Sequence, residues 1–212
     1  MYFDEAGILQ YRVRKLEIVL EIIRDAEACK SIYAKAALTR GLMERVLEEE
    51  IASRSLPGLL LVVAHHHGQD LKFLRREKDV LPPGESDGTN ERNSKETVKL
   101  KKQCEEDAAT VAEKLPVKSR SRRIYEFLKI RDTVERRAMV VYPADTYARF
   151  YCDYAGLSQF VHGGNRETLV VTAQRGDLAP QLLPVINQTV GGLKQYAQAR
   201  LVELQNELLP TA

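Results

Sequence analysis

Apolar residues recur at steps of three and four along most of this chain, and no other feature restricts its fold as strongly. From Asp4 to about Ser53 the helical period is almost unbroken. Ile8, Tyr11, Val13, Leu16, Val19, Leu20 and Ile23 form one face. Arg12, Arg14, Lys15, Glu17, Glu21 and Arg24 are assigned to the opposite, solvent face. A helix of that length calls for an internal stop, expected near Cys29–Ser31. The second segment, Ile32–Ile51, is read as burying Tyr33, Ala36, Ala37, Leu42 or Met43, and Val46. Its Glu48-Glu49-Glu50 cluster opposes the C-terminal helix dipole and is read as solvated.

Pro57 suits the first turn of the next helix, whose run Leu59–Val63 is apolar enough to be deeply buried. His65-His66-His67 follows, but neighbours on a helix point about 100° apart, so three in a row cannot converge on one metal ion. His66 and Asp70 have conceivable ligand spacing without further acidic partners. Leu81–Ser94, with its Pro and Gly residues, reads as an exposed loop. Thr97–Leu115 returns to a polar helix with a thin stripe of Val98, Ala108, Val111 and Leu115. A helix that polar is expected to stand off the body, so residues 73–118 are read as a protruding helical hairpin. Near the C-terminus, Glu167–Gln174 has the β-branched character of a short extended segment. A last helix, Val185–Leu209, follows Pro184, with Gly191-Gly192 placed to kink it or to allow close approach.

Only twelve Gly and 7% aromatic residues also disfavour a β-sandwich. The expectation is an all-α helical bundle forming a single domain over residues 1–212, with the arm at 73–118 and an exposed loop at 81–94. A net charge of +2 excludes a globally polyanion-binding chain, so any basic surface must be local. Three scattered cysteines, Cys29, Cys104 and Cys152, fit a reducing compartment. Met1–Gln10 lacks a secretory leader's basic start, and the longest apolar run, Leu56–Ala64, is too short for a bilayer. A cytoplasmic location without membrane insertion is expected. No P-loop, GxGxxG or Ser-His-Asp set is present, and no cofactor is expected.

Chemistry concentrates in Asp145–Arg166. Pro143 and a capping Asp145 open a helix there, and Gly163-Gly164-Asn165 closes it. Phe150, Tyr154, Leu157 and Val161 make its apolar stripe. Ser158 and His162, four apart, share one face in the last turn, where the helix dipole favours a protonated imidazole. Tyr151-x-x-Tyr154-x-x-Leu157-Ser158-x-x-x-His162 resembles the late helix of an abortive-infection-like branch of the HEPN superfamily. Ala37–Glu44 resembles the Arg-x-x-x-Glu helix of the same branch, through Arg40 and Glu44.

The resemblance implies a helical protein of a bacterial defence or toxin–antitoxin type system. Its early helix would pack on the His helix, and two such helices would face each other in a homodimer. It also implies a metal-independent endoribonuclease site of His162, Ser158, Tyr154, Arg40, Glu44 and Arg166. Active members carry an Arg shortly before the His, where this chain has Ala155. The expected function is therefore a silent or weak module that binds RNA or a partner protein. A catalytic ribonuclease and a generic helical scaffold are the alternatives. Lys114–Arg137 holds nine Lys/Arg against three acids. Arg120, Arg122, Arg123, Lys129 and Arg131 are the candidate contacts to a nucleic-acid backbone, against the plainer reading of a solvated helix start. Ser119 or Ser121 would cap this helix, and Ile124, Tyr125, Phe127, Leu128 and Ile130 would pack inward.

Overall fold

A computed structural model describes residues 5–80, 89–130, 133–161 and 179–208. Every regular element among them is an α-helix: α1 (Glu5–Ala28), α2 (Ile32–Arg54), α3 (Leu56–Val80), α4 (Thr89–Glu113), α5 (Arg120–Ile130), α6 (Val134–Val141), α7 (Ala144–Val161) and α8 (Ala179–Leu208). The protein is all-α. No helix among the described residues is long and apolar enough to cross a membrane. The helices gather into two compact units: a central unit, Glu50–Val140, and a terminal unit of Glu5–Glu49 with the described part of Val141–Ala212.

The terminal unit is built on four apolar stripes. Leu16, Val19, Ile23 and Ala26 of α1 meet Ala36, Leu42, Met43 and Val46 of α2, Leu157 of α7, and Ile186, Val190, Ala197 and Leu204 of α8. Phe150, Tyr154 and Val161 pack against this core as half-buried residues, so the α7 stripe faces where its spacing placed it. The expected break also holds: α1 ends at Ala28, and the Ser31 hydroxyl accepts from Ala34 N at 3.3 Å to start α2. Both Leu42 and Met43 are buried, whereas Tyr33 is 61% exposed and Ala37 is also exposed, against expectation. They stand on the outer side of the first turns of α2.

The central unit rests on the α3–α4 hairpin. Cys104, Ala108 and Ala112 recur every four residues on α4 and are fully buried, with Leu60 and Tyr125 packed beside the alanines. Small side chains let two helices approach closely, which explains how so polar a helix finds a partner. The stripe differs from the expected one, since Val98 is 47% exposed. Ion pairs such as Lys95–Glu91 at 2.8 Å and Lys102–Glu106 at 3.5 Å populate its outer faces. α4 begins at Thr89, so the end of the loop expected at 81–94 is helical. Residues 81–88 lie outside the described residues, as does the extended segment expected at Glu167–Gln174. The cysteines Cys29, Cys104 and Cys152 are free, and burial pushes the Cys104 thiol up to about 11.

Ser55 caps α3, its hydroxyl accepting from Gly58 N at 3.2 Å. Gly58 is required by proximity. A Cβ there would lie 2.9 Å from Ile51 Cγ2 and 3.3 Å from Ile124 Cγ2, and both isoleucines are buried. Gly58→Ala is therefore expected to lower stability by about 1–2 kcal/mol, overpacking outweighing the helix-propensity gain. A denaturation midpoint at or above wild type would contradict this. At Gly191 and Gly192, by contrast, an added Cβ would meet nothing within 4 Å among the described residues. α8 starts at Ala179, upstream of the start expected near Pro184, which lies inside the helix. The proline ring removes one backbone hydrogen bond and crowds the carbonyl four residues earlier, a local cost near the N-terminal end of a 30-residue helix.

Ser119 caps α5 through Arg122 N at 3.1 Å, while the Ser121 hydroxyl donates to Arg54 O at 3.3 Å. Ile124, Tyr125 and Leu128 are buried as expected. Ile130 is 71% exposed, against expectation, and lines the rim of an open cleft with Leu61 of α3 and Lys101 of α4.

Candidate functional site

Arg40 and Glu44 lie one turn apart on α2, and Tyr154 reaches them from α7. Arg40 donates to the Tyr154 hydroxyl from Nη2 at 3.0 Å and from Nε at 3.3 Å. The same hydroxyl donates to Glu44 Oε1 at 2.6 Å. The direct Arg40 Nη2–Glu44 Oε1 pair, at 3.3 Å, closes the triangle. The early Arg-x-x-x-Glu helix thus meets the helix that leads to His162, through residues 110 and 114 positions apart.

The electrostatics are self-contained. Burial and the bond to Glu44 raise the Tyr154 pKa above its ordinary 10.0, and Arg40 only partly opposes them. The phenol keeps its proton, donates to Glu44 and accepts from Arg40. Guanidinium and carboxylate neutralise each other, and Phe150 stacks parallel to Tyr154 with centroids 6.3 Å apart. Tyr154→Phe should cost about 1 kcal/mol, because the half-exposed Arg40–Glu44 pair can still close without the hydroxyl. A loss several times larger, read by chemical denaturation, would mean that the hydroxyl alone holds α2 to α7.

Further along α7 the Ser158 hydroxyl is buried, with no hydrogen-bond partner among the described residues. His162, Arg166 and Arg131 lie outside the described residues. Asp145 falls within the first turn of α7, since the helix starts at Ala144; its charge complements the dipole there. Tyr147, Phe150 and Tyr151 of α7 find ring neighbours within the unit: Tyr142 lies 5.2 Å from Phe150, and Tyr147 stacks on Tyr151 at 6.0 Å.

The basic run divides. About 100° of rotation per residue puts Arg120 and Arg123 on one side of α5 and Arg122 and Lys129 on nearly the opposite one. Arg122 pairs with Glu126 at 2.8 Å, and both Arg122 and Lys129 lie over the Tyr125 ring, at 5.9 and 6.0 Å. Arg120 and Arg123 are exposed.

In the histidine run, His67 lies 3.9 Å from Asp70, and burial lowers the His67 pKa. No group of three His, Cys, Asp or Glu among the described residues is placed to hold a metal ion.

One polar cluster was not anticipated. Arg12 is 7% exposed, Glu48 6% and Glu49 2%, so the charges assigned to solvent are inside the terminal unit. Arg12 donates to Glu49 Oε1 from Nη2 at 2.6 Å and from Nε at 3.0 Å. Lys15 reaches Glu48 at 2.7 Å, and Arg200 Nε lies 3.7 Å from Glu49 Oε1. A positional signal did exist. Arg12 stands four before Leu16, Glu49 three after Val46, and Arg200 three after Ala197, all in step with core stripes. These residues form a charged layer of the core.

The chain is thus an all-α protein whose polar cluster joins an early and a late helix. No family model matches it, and neither a curated protein nor a solved structure does.

Proposed function

We propose that this chain is a HEPN-like helical module of a bacterial defence or toxin–antitoxin type system, cytoplasmic, acting by binding and not by cleavage. One observation carries the reading: Arg40, which with Arg166 is one of the two cations that could replace the Arg absent at Ala155, is engaged by Tyr154 and Glu44. A neutralised guanidinium is a poor stabiliser of phosphorane charge. The division of the basic run over two sides of α5 favours a protein partner over a nucleic-acid backbone. Homodimerisation through α7 belongs to this reading, and a strict monomer in sedimentation would remove it.

A metal-independent endoribonuclease using His162 is the second reading. Ser158 favours it, as a buried hydroxyl without a partner among the described residues, four positions before His162 in the sequence. Incubating the purified full chain with RNA, with and without His162→Ala, separates the two. The binding module leaves RNA intact in both cases, and cleavage that needs His162 establishes the ribonuclease.

A further inference from the structure

We propose that the groove between α5 and α6 is a docking site for an acidic amphipathic helix of a partner protein. It lies in the central unit and stands whether or not the chain cleaves RNA. The groove encloses about 390 Å³ and is lined by Arg120, Arg123, Ile124, Phe127, Met139 and Val140. Its floor is apolar, and Met139, 51% exposed, extends that apolar surface to solvent beside Phe127 and Val140. Its charge is of one sign. Arg120 and Arg123 flank the floor, and the Arg136 guanidinium lies 5.4 Å from the Phe127 ring centroid. No Asp or Glu lines it among the described residues. Glu126, the acid of α5, is turned to Arg122.

Charge and shape together select the occupant. An apolar floor takes side chains spaced three and four apart on one face of a helix, and arginines at its edge take carboxylates flanking that face. A nucleic-acid backbone would satisfy the arginines but leave Met139 and Phe127 uncovered, and Arg136 already occupies a face of Phe127 where a base would stack. A second copy seated on the same groove across a two-fold axis would bring another set of arginines against the first.

The probe is a display library of random peptides of roughly 16 residues, about four helical turns, selected against the full chain. Enriched peptides should be acidic, with apolar residues at i, i+3 or i+4, and i+7. Their affinity, by fluorescence anisotropy, should fall at least about tenfold in both Met139→Glu and Arg123→Glu. It should hold in Met139→Leu and in Arg14→Glu, an exposed control in the other unit. Selected peptides without acidic bias, or binding indifferent to Met139→Glu, would overturn the proposal. Single-stranded RNA binding that depends on Arg123 but not Met139, without peptide binding, would make the groove a phosphate site. Self-association abolished by Met139→Glu would make a second copy its occupant. Either result ends the proposal without touching the reading of the α2–α7 cluster.

Discussion

Arg12→Met is expected to lower the stability of the full chain by about 3–5 kcal/mol, toward the lower end of that range. The substitution leaves the Glu49 carboxylate buried, with Arg200 Nε, 3.7 Å away, as its nearest remaining cation. Burial already raises the Glu49 pKa above its ordinary 4.5 in spite of Arg12, so the intact pair contributes little net stability. The damage comes from breaking it. Arg12→Met with Glu49→Leu should accordingly return to within about 1 kcal/mol of wild type, since apolar residues can replace a buried pair at little cost.

The pH dependence follows from the direction of that shift. A carboxyl whose folded pKa is raised contributes fully below its ordinary 4.5, and the contribution is lost as pH rises through the raised value. Removing Arg12 raises it further, so the deficit of Arg12→Met should be largest at neutral pH and shrink on acidification toward 4.5. Urea denaturation followed by circular dichroism measures both effects. A single-variant cost under about 1 kcal/mol, as for solvated pairs, would mean that water reaches the layer.

The second large effect is catalytic. In-line RNA cleavage needs a base for the 2′-OH, an acid for the leaving oxygen and a cation for the charge that develops on phosphorus. His162 can serve as base or acid, but Ala155 supplies no cation and Arg40 is neutralised by Glu44. The purified protein should therefore show no RNase activity above background without added metal. Ala155→Arg should raise activity by as much as about 10²–10³-fold, the usual worth of one such group. His162→Ala in that background should abolish the gain. Robust cleavage by the wild type that survives His162→Ala would place the chemistry elsewhere and sink the HEPN reading of function.

What could be read from sequence was what a single helix decides for itself. The stop between α1 and α2, the Ser119 cap and the stripe Phe150–Tyr154–Leu157–Val161 all depend on residues within a turn or two of each other. Local hydrogen bonds and the 3.6-residue period set them, so all-α architecture was legible before any packing was known. Periodicity does not say which surface another helix will cover. Val98 and Ile130 looked apolar enough to be buried and are exposed, because no helix among the described residues covers the side on which each falls.

Charges were harder still, because their burial depends on a partner. Arg12 and Glu49 read alike as surface residues, and each lies inside only because the other meets it across 37 positions of sequence. Desolvating either alone is prohibitive, so the phase each shares with its core stripe could point to burial but not name the partner that offsets its cost. The same holds for Arg40 and Glu44. A one-turn ion pair was legible on α2, but the Tyr154 hydroxyl that joins it from α7 depends on the rotation and register of two packed helices. The sequence by itself determined the helices and their apolar faces. Only the tertiary structure decided which polar groups meet, because pairing depends on the relative phase of helices distant in the chain.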